Sequence, residues 1–190
     1  VNDLVARFLP PESRDATGKI RVPHFVTLTL SKDMCPSDDD AKRAMANIPY
    51  ASLIGALNHL ACFTRPDISQ AVGVVAQFCA NPGAQHWKAA IRILEYLRDT
   101  AEYGIIYGRQ RTEFVPFAPL FAYVDASWAD DPDDRTSRGG YQLWSWGAPI
   151  EWRSSKQTAQ ALSTTEAEYM AACEACLLYT SDAADERRCV

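Results

Sequence analysis

No stretch of this 190-residue chain stays apolar and uncharged for the ~20 residues that a membrane-spanning helix needs, so none is expected. Val1-Asn2-Asp3-Leu4 lacks both a starting Met and the basic-then-apolar pattern of a secretory leader, and the chain reads as a piece of a longer, intracellular protein. Basic charge is outweighed, with 19 Lys and Arg against 24 Asp and Glu and a net charge of −5. That balance makes a poor non-specific binder of nucleic acid, because phosphate affinity comes from Lys and Arg. The six cysteines form no spaced disulfide framework. Cys62 and Cys79 fall in apolar helical patterns and are expected to be reduced and core-filling. Cys173 and Cys176 have redox or metal spacing, yet no second pair or nearby His completes a site.

What is present is enough for a core. Hydrophobic residues make up 47% and aromatics 11%, and a domain near this size buries roughly 70% of its unfolded surface. A mainly disordered chain is thereby excluded. The charge is unevenly spread. Residues 1–49 carry seven basic and seven acidic side chains, residues 50–111 six and four, and residues 112–190 six and thirteen. Oxygen-rich acidic clusters suit hard divalent cations, so the last third is where a metal site is expected.

Residues 1–49 read as a largely irregular linker, with Pro10-Pro11, Gly18, Pro23, Pro36, Asp38-Asp39-Asp40 and Pro49 interrupting any period. From Tyr50 the period becomes helical. Leu53, Ile54, Leu57, Leu60 and Ala61 form one stripe. Thr64-Arg-Pro-Asp67 breaks it, with Thr64 and Asp67 at capping-box spacing. Ile68, Val72, Val75 and Cys79 mark a second helix, ended by Asn81-Pro82-Gly83. Trp87, Ala90, Ile91, Leu94 and Leu97 mark a third, which stops near Gly104. These stripes read as core rather than as a cofactor-binding face.

Beyond Gly104 the period falls to two. Ile105-Ile-Tyr107 is expected as a short strand and Leu120–Val124 as a strand running into Asp125. Gly140–Trp144 and Pro149–Trp152 flank Ser145-Trp-Gly147, a hairpin turn. Helix returns from Thr164 to about Ala175. The fold class is therefore α+β: a helical subdomain, then a partial α/β domain of three antiparallel strands and one helix.

Two carboxylates stand out for chemistry. Asp125 closes an apolar strand, where a charge is costly unless it is paired or binds metal; a turn-initiating Asp is the plainer reading. Asp130, Asp131, Asp133 and Asp134 read as a solvated loop with one turn. In Ser163-Thr-Thr-Glu-Ala-Glu168, Ser163 and Glu166 form a capping box, which gives Glu166 a structural task. Glu168 lies roughly 200° further round the helix and is free to face another element. The alternative is that both are exposed first-turn acids favoured by the helix dipole.

A strand-end Asp and a Glu on the helix after a hairpin is the layout of ribonuclease H. The chain resembles the end of the Pol polyprotein of copia-type LTR retrotransposons. The resemblance rests on Leu30-Ser-Lys-Asp-Met-Cys-Pro36, Pro49-Tyr-Ala-Ser-Leu-Ile-Gly55, Thr64-Arg-Pro-Asp67, His86-Trp-Lys-Ala-Ala90 and Ile93-Leu-Glu-Tyr-Leu97. It continues through Tyr123-Val-Asp-Ala-Ser127, Asp134-Arg-Thr-Ser137, Trp152 with Ser154-Ser-Lys156, and Ala161-Leu-Ser-Thr-Thr-Glu-Ala-Glu-Tyr-Met170.

The resemblance implies the end of a polymerase region in 1–49, a helical reverse-transcriptase tail or connection in 50–108, and a partial ribonuclease H-like domain in 117–175. It implies an enzyme family that cuts the RNA strand of an RNA–DNA hybrid. Mg²⁺, or Mn²⁺ in its place, would be held by Asp125 and Glu168, with Glu166 as the alternative ligand. Arg65, Lys88, Arg92, Arg98, Ser127 and Lys156 are the candidate nucleic-acid contacts. The partners implied are the hybrid and the upstream polymerase region, in a cytoplasmic virus-like particle or the nucleus. Two features depart from the family. No Tyr-x-Asp-Asp polymerase motif stands in residues 1–49. The strand carrying a third carboxylate is missing, because residues 176–190 resemble a translated sequencing adapter and read as a non-native tail. Polymerisation is not expected of this piece, and hybrid cleavage is expected to be nearly absent. The alternative function is a non-catalytic connection that positions the nucleic acid.

Overall fold

The computed structural model describes residues 1–14, 20–25, 28–108 and 120–185, with side chains through residue 177. The chain divides into two compact units, Val1–Gly104 and Ile105–Val190. Among the described residues, no helix is long and apolar enough to cross a membrane.

The first unit is helical. It contains α1 (Asn2–Phe8), α2 (Pro11–Arg14), α3 (Asp39–Ala46), α4 (Tyr50–Phe63), α5 (Ser69–Ala76) and α6 (Ala84–Asp99), with single 3-10 turns at Lys32–Met34 and Pro66–Ile68. The stripes in α4, α5 and α6 meet in one core, where Leu53, Leu57, Ile68, Leu94 and Leu97 are buried. The segment read as an irregular linker is corrected here. Phe8, Leu9 and Leu30 are buried in that same core, and the Ile20 N–H donates to Asp99 Oδ2 at 2.7 Å. Its helices are too short, and supply too few apolar side chains each, to leave a readable period.

Gly83 shows how closely this segment seats. A Cβ there would fall 2.1 Å from the Met34 carbonyl oxygen, so no side chain fits. The Gly83 N–H donates to His86 Nδ1 at 2.8 Å, closing the start of α6, and His86 stacks on Phe78 with ring centroids 4.0 Å apart.

Both thiols expected inside are exposed instead. α5 ends at Ala76, so Cys79 falls in the turn beyond it, and Cys62 lies on the open side of α4. None of the described cysteines is in a disulfide, and Cys189 lies outside the described residues.

Between α4 and α6 sits a buried ion pair. The Arg65 Nη2–H donates to Asp67 Oδ2 at 2.8 Å and to Thr100 Oγ1 at 2.6 Å, while Nη1–H donates to the Thr100 carbonyl at 2.9 Å. The Tyr96 hydroxyl donates to Asp67 Oδ2 at 2.7 Å. Asp67 is therefore part of this network rather than the cap of a box with Thr64, whose hydroxyl instead donates back to the Leu60 carbonyl.

Among the described residues, the second unit is one three-stranded antiparallel sheet and a helix. β1 (Phe121–Ser127), β2 (Arg138–Ser145) and β3 (Ala148–Lys156) lie in the order β1-β2-β3. Trp146 (φ 52°) and Gly147 (φ 80°) make the β2–β3 hairpin turn, both in the left-handed region that such two-residue turns require. Ile105–Tyr107 is not a strand. No described strand lies beside it to take its hydrogen bonds, and Ile106 and Tyr107 are exposed. The helix α7 (Thr164–Asp185) continues past Ala175 through the stretch read as a non-native tail; residues 186–190 lie outside the described residues.

Burial pushes the Asp67 carboxyl up, but the hydrogen bonds from Arg65 and Tyr96 outweigh it and hold its pKa below the usual value. A lowered native pKa gives stability that is full above the unfolded pKa and is lost as pH falls through the native one. Asp67→Asn should cost roughly 2 kcal/mol at pH 7, read from urea midpoints. The gap from wild type should close as pH falls below about 4. A gap that stays constant from pH 7 to pH 2 would show that the charge plays no part.

Candidate functional site

Asp125 lies on β1, directly opposite Gly140 of β2, with its side chain exposed. Strand alternation puts Phe121, Tyr123, Asp125 and Ser127 on one face, and Ala122, Val124 and Ala126 on the other. The helix α7 covers the second face. Ala175 packs with Tyr141, Leu143 and Val124, and a Cβ on Gly139 would sit 3.3 Å from the Ala171 Cβ. The Gln157 side-chain N–H donates to the Ala167 carbonyl at 2.7 Å, tying the start of α7 to the end of β3.

The start of α7 is capped as its sequence indicates. The Glu166 N–H donates to Ser163 Oγ at 3.1 Å, and Glu166 Oε2 accepts from the Leu162 N–H at 2.7 Å. The carboxylate reaches one residue further back than in the standard box. Glu166 is thus engaged locally, and Glu168 is exposed on the next part of the turn. Asp125 thus projects from the face that α7 does not cover.

Neither Asp125 nor Glu168 takes a side-chain hydrogen bond or ion pair among the described residues. Their oxygens are open to a hard cation, which suits Mg²⁺ in donor type. Donor number is another matter. No group of three His, Cys, Asp or Glu that could hold a metal ion is found among the described residues. Among the described residues, the donors suit such an ion in type and do not complete a metal centre.

The candidate nucleic-acid contacts separate clearly. Arg65 is 3% exposed and bound to Asp67 and Thr100, so it is a structural cation and not a phosphate contact. Arg98 pairs with Asp99 at 2.7 Å and donates to the Ser13 carbonyl, which holds the first segment against α6. Arg92 is half-buried with its guanidinium over the Phe25 ring, 5.4 Å from the centroid. Lys88 is exposed, and Ser127 is exposed on the Asp125 face. Arg65, Lys88, Arg92 and Arg98 belong to the first unit, and Ser127 and Lys156 to the second. A charge pattern read along a helix does not show which guanidinium is consumed by a neighbouring carboxylate.

Lys156 is likewise taken, with Nζ 2.6 Å from Asp131 and 2.9 Å from Asp134. Asp131 also organises its own loop, Oδ1 accepting from the Asp133 N–H at 2.9 Å. The expected solvated acidic loop with one turn is present, and Lys156 clamps it. Hydrogen bonds from Lys156 and Thr136 hold the Asp134 carboxyl well below the usual carboxylate range. Burial works against the Lys156 charge, but its bonds to Asp131 and Asp134 raise its pKa nonetheless.

A surface missed in the sequence lies on the first unit, where Arg7, Phe25, Trp87, Lys88 and Glu95 line one groove. Arg7 and Phe25 come from the segment without period, so no pattern announced them.

The comparisons with known proteins settle the family. The chain is 46% identical over 147 residues to the Retrovirus-related Pol polyprotein from transposon TNT 1-94 of Nicotiana tabacum, a match covering 77% of this chain and 11% of that protein. It is 44% identical over 120 residues to the corresponding polyprotein from transposon RE1 of Arabidopsis thaliana, covering 63% of this chain and 8% of that one. The chain belongs to the copia-type retrotransposon Pol polyproteins. It spans about a tenth of the length of these polyproteins. It is also 46% identical over 131 residues to a Plasmopara viticola protein named Secreted RxLR effector protein 161, covering 69% of this chain and 89% of that protein. No family model matches the Pol segment. No solved structure matches it significantly.

If Lys156 holds the acidic loop of this Pol segment, Lys156→Met should let the Asp134 carboxyl rise toward the ordinary value of about 4. A carboxyl NMR titration reads this directly. An unchanged Asp134 titration would mean that the ion pair does not form in solution.

Proposed function

We propose that this chain is the stretch of a retrotransposon Pol polyprotein in which the reverse transcriptase ends and ribonuclease H begins. The parent activity in this reading is Mg²⁺-dependent cleavage of the RNA strand of an RNA–DNA hybrid. The observation that carries it is Asp125: an exposed carboxylate without a side-chain partner among the described residues, on the first strand of an antiparallel sheet whose following helix carries Glu168. The family membership supports the reading. Glu166 belongs to the helix cap, which leaves Glu168 as the second ligand.

Asp125 and Glu168 would hold Mg²⁺, whose chemistry there is to activate water and to stabilise the leaving oxygen of a phosphodiester. The residues of this chain do the positioning. Pairing with β2 fixes the backbone at Asp125, while Ala167, Ala171 and Ala175 seat α7 on the sheet and so set where Glu168 stands. Two carboxylates without a third leave most of the ion's six positions to water, so this chain alone should be nearly inactive.

The groove of the first unit favours a second, non-catalytic reading. Lys88 and Arg7 beside Trp87 and Phe25 combine cations with aromatic faces, the pairing that positions nucleic-acid strands. In this reading the helical unit is a connection that orients the hybrid or docks the upstream polymerase.

The test compares hybrid cleavage by this chain and by a Pol segment extended through the family's remaining ribonuclease H strands. The extended segment should cut the RNA strand in Mg²⁺, with Asp125→Asn lowering the rate at least a hundredfold and Glu166→Gln by less than tenfold. An extended segment that binds hybrid without cutting it would support the connection reading instead. Equal cleavage by both proteins would show that the chain's own acids suffice.

A further inference from the structure

Glu168 can serve a cation only if α7 is held in one place along its own axis. Apolar contact is non-directional, so the buried Ala167, Ala171 and Ala175 set the distance from the sheet more firmly than the position along the axis. A slide or a turn of the helix would carry Glu168 with it. A hydrogen bond has both length and direction, and Gln157 supplies one at the start of α7.

Gln157 directly follows β3 and is 5% exposed. Its main chain is anchored, the N–H donating to the Ser137 carbonyl at 2.9 Å. Its side chain lies over Gly139, where a Cβ would come 3.4 Å from Nε2 and 3.7 Å from Cγ. From there the Nε2–H reaches the Ala167 carbonyl, one residue before Glu168. Ala167 does not need this donor, because a carbonyl inside an α-helix accepts from the N–H four residues on. The other half of the amide gains nothing. Gln157 Oε1 is buried and has no hydrogen-bond partner among the described residues. Leaving a buried acceptor unmet costs as much as a typical hydrogen bond contributes, or more. As a space-filler, a half-satisfied amide is therefore inferior to an apolar side chain of the same length. What it supplies is direction, and the element it directs carries Glu168.

We infer that Gln157 is a positioning residue for Glu168, pinning the first turn of α7 to the end of β3 so that the carboxylate keeps one place relative to the sheet. The inference rests on the reading of Glu168 as a metal ligand. In the unaltered chain without metal, the Gln157 side-chain N–H protons should exchange with solvent at least a hundredfold more slowly than those of the exposed Gln160. Gln157→Met keeps the length of the side chain and removes the donor together with the unmet acceptor. Its urea midpoint should match or exceed that of the unaltered chain. In an NMR titration with Mn²⁺, the Asp125 and Glu168 carboxyl signals should broaden together in the unaltered chain. In Gln157→Met, Glu168 should need at least fivefold more Mn²⁺ than Asp125 does. A variant that fails to fold, or whose urea midpoint falls, would make Gln157 a structural residue and overturn the inference. So would Gln157 protons that exchange as fast as those of Gln160, or joint broadening that survives Gln157→Met. If Glu168 does not broaden with Asp125 even in the unaltered chain, the ligand reading itself fails and takes the inference with it.

Discussion

The second unit depends on how closely α7 can approach the sheet, and a pair of small residues sets that distance. Gly139 has no side chain, and a Cβ there would sit 3.3 Å from the Ala171 Cβ, tighter than ordinary contact. With Ala167 and Ala175 buried on the same helix face, α7 lies low across β1 and β2. A larger residue at any of these positions would lift the helix and carry Glu168 with it. The placement of the candidate ligand is therefore decided by residues that have no chemistry of their own. Interiors are packed densely enough that such a shift cannot be absorbed elsewhere.

The first unit solves a different problem, how to hold a proline-broken connection against a long helix. Its solution is to spend its cations internally. Arg65 joins the Pro66 turn to the end of α6, and Arg98 and Asp99 anchor the segment before α3. A buried guanidinium is tolerated only with its donors satisfied, which makes these arginines poor candidates for a ligand outside. An acidic chain that uses its arginines this way leaves Lys88 and Arg7 as the cations beside its aromatic groove.

Much of this was legible in the residues. The stripe Leu53, Ile54, Leu57, Ala61 became the buried face of α4, the change of period gave the sheet, and Ser145-Trp-Gly147 gave the hairpin turn. The Ser163–Glu166 cap was readable because its four-residue spacing is local. What failed was non-local. Phe8, Leu9 and Leu30 enter the core from elements too short to show a period. Ile105–Tyr107 had strand composition and no described strand beside it. Arg65 was read as a surface cation because burial depends on Asp67, Tyr96 and Thr100 meeting across the fold. For the candidate site, the sequence could name Asp125 and Glu168 but not the face from which each projects. The face of Asp125 follows from register.

The functional account stands or falls on whether those two carboxylates serve one ion. Paramagnetic broadening by Mn²⁺, followed by NMR on the chain diluted until it sediments as a monomer, asks this without requiring catalysis. The account predicts that the carboxyl signals of Asp125 and Glu168 broaden together at the lowest Mn²⁺ concentrations, ahead of Glu166 and of the Asp131–Asp134 loop that Lys156 already occupies. Broadening that begins in the acidic loop, or that reaches Glu168 without Asp125, would contradict it.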